Sequence, residues 1–171
     1  MITIYTDGAC SGNGNENATG GFGVVVVKND TIIDAYQEFS ENTTNNREEM
    51  KAILWALNNY GAEDKFKDTP YIPKVYSDSG YCVNTFTKWM YSWAKNGWIK
   101  SDKKQPLNLD LILQYYNNSY IIKLHQIKGH AGNKYNEIAD GLATGKIKVE
   151  DIIDGQHEIY RRDFRWREIF S

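Results

Sequence analysis

Apolar and polar positions change period several times along this chain, and those changes set out its elements. Residues 2–6, "ITIYT", alternate in the manner of a half-buried strand, with Ile2 and Ile4 on one face and Thr3, Tyr5 and then Asp7 on the other. "GGFGVVVVKNDTIIDAYQEFS" predicts a hairpin that turns at Asn29-Asp30 between two β-branched runs. "TTNNREEMKAILWALNNYG" switches to helical spacing, with a stripe at Met50, Ile53, Leu54 and Leu57 and a stop at Gly61. "KVYSDS" predicts a short strand, "GYCVNTFTKWMYSWAKNGW" a helix, and residues 108–118 another helix. "YIIKLHQIKGH" closes the strand set as a single strand, followed by a helix at about 134–145. Three strands followed by alternating helix and strand predict an α/β fold: a mixed five-stranded sheet with helices on both faces.

Charge changes this picture in one place. The net charge is −2, which by itself argues against a nucleic-acid partner. Residues 84–108, however, gather Lys88, Lys95, Lys100, Lys103 and Lys104 against the single acid Asp102. A basic segment on an acidic body is a local anion-binding surface. The two cysteines form no CxxC pair and imply free thiols. With no membrane-length apolar run and no leader-like N-terminus, a cytoplasmic location is expected.

The acids carry the candidate chemistry. Asp7 follows the first strand and Asp78 follows "KVYS". If those strands are parallel neighbours, both carboxylates emerge at one C-terminal sheet edge, where open α/β sheets bind ligands. On the helical wheel Glu49 borders the apolar stripe, while Glu48 points nearly opposite it and is expected to be solvated. Clustered carboxylates repel unless a cation lies between them, and oxygen-only ligands suit Mg²⁺ or Mn²⁺.

"TDGAC", "TTNNREE", "YSDSGY", "IKGHAGN" and "NEIADGLA" occur in that order, and over about residues 1–145 the chain resembles type 1 ribonuclease H of the bacterial kind with a basic protrusion. The resemblance implies an endonuclease that cuts the RNA strand of RNA–DNA hybrids, leaving a 5′-phosphate and a 3′-hydroxyl. It implies four carboxylates, Asp7, Glu49, Asp78 and Asp140, holding two Mg²⁺ ions, which Mn²⁺ can replace. Asp140 rests on the resemblance alone, because its helical position suits a solvated acid equally well. His130 becomes a general acid/base in the loop "KGHAGN", although a lone loop histidine is commonly inert.

The resemblance also assigns the hybrid's contacts. Trp89, Trp93 and Ser101 would line a DNA channel in a protrusion at about residues 84–108, with Lys95, Lys100, Lys103 and Lys104 supplying charge. As alternatives, Trp89 and Trp93 form the buried face of a helix. Thr44 and Asn108 would form a phosphate pocket, and Cys10, Asn13, Asn45 and Asn46 would meet the minor groove and backbones. Cys10 is equally a small buried thiol, and Asn45 and Asn46 equally helix caps.

The chain departs from the family at Gly80, where many relatives carry glutamine, at the long turn "SGNGNENATGG", and at Gly141 inside a helix. Residues 146–171, with arginines interleaved with aromatics, form an extension of unassigned role that is either docked on the body or in contact with substrate. A monomer without an obligate protein partner is expected. The rival readings are a DNA-cutting relative of the fold, a nuclease domain of a reverse transcriptase or mobile element, and a hybrid-binding module without chemistry.

Overall fold

The computed structural model describes residues 1–12, 17–129 and 132–153. Three long strands come first: β1 (Ile2–Ser11), β2 (Thr19–Lys28) and β3 (Thr31–Glu41). The β2–β3 turn is Asn29-Asp30 as expected, with φ of 52° and 58°. Both central residues are left-handed, which a two-residue hairpin requires and Asn and Asp tolerate. Helix α1 (Asn45–Tyr60) follows, capped by Thr44 and ended at Gly61. The pair β4 (Ala62–Glu63) and β6 (Tyr120–Ile121) forms a second, two-stranded sheet, too short to leave a periodic signal. Strand β5 (Lys74–Ser77) is followed by a helical run made of α2 (Gly80–Asn84), a π-helical stretch and α3 (Met90–Lys95). Then come α4 (Leu109–Tyr116), β7 (Lys123–Gln126) and α5 (Lys134–Thr144).

The main sheet has the order β3-β2-β1-β5-β7. Its first three strands are antiparallel, while β5 runs parallel to both β1 and β7. The expected mixed five-stranded architecture is therefore present. Helix α1 covers one face, where Met50, Ile53, Leu54 and Leu57 meet Ile4, Val24, Val26 and Val75 in the larger core. Helix α5 covers the other face, where Ala139 and Leu142 pack on Val25, Val27 and Ala35. Residues 147–153 do not leave the body, since Ile147, Val149, Ile152 and Ile153 join this smaller core. Gly141 makes room for that return, because a Cβ there would lie 2.5 Å from Cδ1 of Ile147.

Three local expectations are corrected. Strand β1 does not end at Thr6 but continues to Ser11, because β2 pairs with it along that whole length. The predicted strand at 120–130 is split: Tyr120–Ile121 pairs with β4, and Lys123–Gln126 moves onto β5.

Glu48 provides the third correction. It is fully buried, not solvated. Strand β2 lies over the first turn of α1, so a Cβ on Gly20 would sit 3.1 Å from Cγ of Glu48. Oε2 accepts hydrogen bonds from Thr43 Oγ1 at 2.8 Å and Lys51 Nζ at 3.0 Å. Lys51 also donates to Ser40 Oγ at 2.7 Å. A buried carboxylate is tolerated through such partners, and removing one leaves an uncompensated charge. Lys51→Met is expected to lower unfolding stability by about 3 kcal/mol in a urea titration, with much of the loss recovered in Lys51→Met/Glu48→Gln.

Candidate active site

The β1–β5 register brings the first two acids together. Thr6 pairs with Ser77, so Asp7 and Asp78 are the next residues along adjacent parallel strands. Strand β5 stops there, while β1 stays paired to β2 with Asp7 opposite Gly23. Asp7 is thus anchored in a strand as Asp78 enters the turn before α2. Gly8 brings in the third acid. A Cβ on Gly8 would lie 2.4 Å from the backbone nitrogen of Glu49 and 2.6 Å from the carbonyl carbon of Glu48. Only a residue without a side chain lets α1 approach β1 so closely. Carboxylate oxygens of Asp7, Glu49 and Asp78 lie within 4.8 Å of one another.

The electrostatics of this cluster are unfavourable for bare carboxylates. Asp7 and Glu49 are 5% and 7% exposed. Burial pushes the Asp7 carboxyl up to about 7, with the Asp78 charge and the Asp140 side chain adding to the rise and a hydrogen bond from Glu49 opposing it. The Glu49 carboxyl is held well above its ordinary range, by burial first and by Asp7 second. The Gly8 N–H donates to Asp7 Oδ1 at 2.9 Å. Glu49 Oε2 is buried without a hydrogen-bond partner. Three close carboxyl groups, two of them held above their ordinary range and one of those with an orphaned oxygen, are a donor set that fits a hard divalent cation.

Asp140 lies outside this close trio but near enough for its side chain to push the Asp7 carboxyl further up. Gly23 makes that approach possible. A Cβ on it would lie 2.4 Å from the carbonyl oxygen of Ala139 and 2.6 Å from Cβ of Leu142. The start of α5 is fixed by Asn133, whose side chain accepts from the N–H groups of Tyr135 and Asn136, each at 3.0 Å. Tyr135 in turn packs on Tyr5, with ring centroids 5.4 Å apart. Cys82 lies beneath the cluster. Burial raises its thiol to about 12, with the charges of Glu49 and Asp78 acting in the same direction, so it stays a neutral packing group.

The expected hybrid contacts divide. His130 and Asn13 lie outside the described residues, although a Cβ on the preceding Gly129 would be 3.1 Å from Asp78 Oδ2. Asn45 and Asn46 are exposed on the first turn of α1, and the cap is Thr44, whose Oγ1 accepts from the Arg47 N–H at 3.2 Å. Cys10 is half-buried and its thiol donates to the Thr43 carbonyl at 3.4 Å. Trp89 is exposed, whereas Trp93 is half-buried against the larger core, with the two rings 6.2 Å apart. Lys95, Ser101, Lys103 and Lys104 are exposed, while Lys100 is half-buried and 3.4 Å from Asp102.

Sequence reasoning passed over Arg47. Its backbone meets Thr44, and its guanidinium donates to Asn108 Oδ1 at 3.3 Å and forms a two-pronged pair with Asp110 at 3.1 and 2.8 Å. Arg47 therefore ties the candidate phosphate-pocket residues Thr44 and Asn108 into one unit. The only signal available was an arginine in the first turn after a capping threonine; its partners are 61 and 63 residues away.

Comparison with known proteins agrees with this geometry. The model of the RNase H family matches residues 1–148. A ribonuclease H of Thermoanaerobacter sp. (strain X514) is 41% identical over 152 residues, which span 86% of this chain and 90% of the relative. One from Ehrlichia ruminantium (strain Gardel) is 40% identical over 154 residues, spanning 85% and 94%. Among solved structures, LC9-RNase H1, a type 1 RNase H with the type 2 active-site motif, superposes with a TM-score of 0.63 at 27% identity, over 91% of this chain and 74% of that one. Sheet order, acid cluster and sequence match agree, and the chain belongs to the ribonuclease H family of metal-dependent endoribonucleases.

Proposed function

We propose that this chain hydrolyses the RNA strand of RNA–DNA hybrids with Mg²⁺ held by Asp7, Glu49 and Asp78, and with Asp140 completing a two-ion site beside Asp7. The observation that carries this reading is the trio of carboxylates, buried Asp7 and Glu49 with half-buried Asp78, gathered where the parallel pairing of β1 and β5 ends beneath α1. Bound there, divalent ions would supply hydroxide near neutral pH and offset the charge gathering on the phosphate and the departing 3′ oxygen. The chain's own task is positioning. The Gly8 N–H orients the Asp7 carboxylate, and close packing of α1 and α5 fixes Glu49 and Asp140 around it. His130, next in sequence to Gly129, which lies against Asp78, is assigned proton transfer at the leaving oxygen on the strength of the family motif. His130→Ala is expected to slow turnover at least tens-fold with hybrid affinity kept, as read by single-turnover rates alongside equilibrium binding.

The surface of the helical run and the following loop would hold the DNA strand, with exposed Trp89 available for stacking and the lysines for phosphates. Replacing Lys100, Lys103 and Lys104 together by alanine is expected to weaken hybrid binding about tenfold at low salt. The slope of log affinity against log salt should also become shallower by roughly one unit for each lysine–phosphate pair removed. The pairing of Lys100 with Asp102 makes Lys103 and Lys104 the larger contributors.

The test of function is a cleavage panel with Mg²⁺: labelled RNA–DNA hybrid, double-stranded RNA, double-stranded DNA, and DNA duplex holding one ribonucleotide. Cutting confined to ribonucleotide runs paired with DNA supports the proposal. Cutting of plain DNA, or binding without cutting, would end it.

A further inference from the structure

The sheet edge that presents Asp78 carries one more polar group, supplied by β7. Gln126 is the last residue of that strand and pairs with Ser77, one position before Asp78. Its side chain is exposed and extends towards the turn that follows Asp78. A Cβ built on Gly80 would lie 3.0 Å from Nε2, 3.2 Å from Oε1 and 3.3 Å from Cδ of Gln126. The carboxamide therefore occupies the space where a side chain at position 80 would begin. Among the described residues no hydrogen bond engages this carboxamide. Glycine at the first position of a helix is a poor helix former, and here it leaves the space open for a group from another strand.

From this geometry we infer that Gln126 is a substrate-contacting residue that reads a ribose 2′-hydroxyl of the RNA strand beside the cleavage site; the inference rests on the hybrid-cleaving function proposed above. Chemistry favours the hydroxyl over a phosphate. A carboxamide is neutral and offers both a donor and an acceptor, and a hydroxyl likewise both donates and accepts. Phosphate is better met by a cation or by backbone N–H groups. Position favours it as well. Gln126 stands on the rim beside Asp78, not on the lysine-bearing segment, so a sugar next to the scissile phosphate comes within reach. Deoxyribose offers nothing to either end of the carboxamide, so this contact separates RNA from DNA at one sugar.

The experiment pairs variants with substrates. Hybrids carrying a single 2′-deoxy substitution at successive positions around one cleavage site are cut by wild type, Gln126→Ala, and Gln126→Ala/Gly80→Asn. The double variant hangs a carboxamide into the same space from the opposite wall. Wild type is expected to show a five- to tenfold rise in KM for substitution at one sugar. Gln126→Ala should show that raised KM on the all-ribose hybrid, with kcat within twofold and an unchanged melting temperature, and should be blind to the substitution. The double variant should regain sensitivity at that sugar. Gln126→Ala with the wild-type KM and the wild-type pattern of deoxy sensitivity would overturn the inference, as would a double variant as blind as the single one. If wild type fails to cut the all-ribose hybrid, the functional proposal falls instead, so the two failures are distinct.

Discussion

Asp7→Asn is expected to cut hybrid at least 10³-fold more slowly than the native chain while unfolding at a higher temperature in metal-free buffer at pH 8. The two effects share one cause. Asp7 is buried beside Glu49, Asp78 and Asp140, and its folded carboxyl titrates at about 7 in place of 3.8. Between those values the folded chain holds a proton that the unfolded chain has released. This contribution to stability therefore falls as pH rises through the window, and the full penalty stands above about 7. A shift of that size corresponds to about 4 kcal/mol. Asn removes the charge and with it the part of the pH dependence that Asp7 contributes, leaving that of buried Glu49. Divalent cation should do the same by another route: Mg²⁺ is expected to raise the melting temperature of the native chain at pH 8, far less at pH 5, and little in Asp7→Asn. Calorimetric scans at the two pH values, with Mg²⁺ and with EDTA, check this without an activity measurement. Equal Mg²⁺ stabilisation of native chain and variant would count against Asp7 as a ligand. The loss of rate is read separately, in the cleavage panel, and its size reflects removal of a preorganised charge from the reacting centre.

The second large effect is expected from the smallest substitution. Gly8→Ala adds one methyl group, and that methyl would lie 2.4 Å from the backbone nitrogen of Glu49. The atoms in the way are helix backbone, which cannot rotate aside as a side chain would. Helix α1 must move off β1, at a cost of about 2–3 kcal/mol for the overpacked contact. A shift of even an ångström carries Glu49 away from Asp7, and misplacement on that scale costs on the order of 10² in rate. Gly8→Ala is thus expected to lose most activity while remaining folded, and to lose part of the Mg²⁺ stabilisation at pH 8. Urea unfolding and Mg²⁺-dependent melting report the two consequences separately. Native-like cleavage by this variant would show that the close approach of α1 is not what sets Glu49.

Much of this was legible along the chain. The hairpin turn at Asn29-Asp30 could be named because only a few residue types tolerate φ of 52° and 58° in succession. The α1 stripe and the stop at Gly61 followed from spacing, because helix burial repeats with the helical period. The convergence of Asp7 and Asp78 followed from one assumption, that their strands are parallel neighbours, and the register bears it out. Glu48 was misread because a helical wheel describes one packing face, and the first turn of α1 is also covered by β2. The role of Gly8 was not legible, because glycine serves turns and close approaches alike, and the chain alone does not separate the two.

By itself the sequence determined the element types, the mixed sheet, the family and the acids to watch, since periodicity, turn chemistry and short motifs act between residues near one another in the chain. Only the tertiary structure decided that Gly8 and Gly23 are the contacts through which α1 and α5 bring Glu49 and Asp140 to Asp7, that Arg47 joins Thr44 to Asn108, and that Gln126 fills the space over Gly80. Those are contacts between segments tens of residues apart, fixed by register and packing distance, and no local pattern encodes a distance across a sheet.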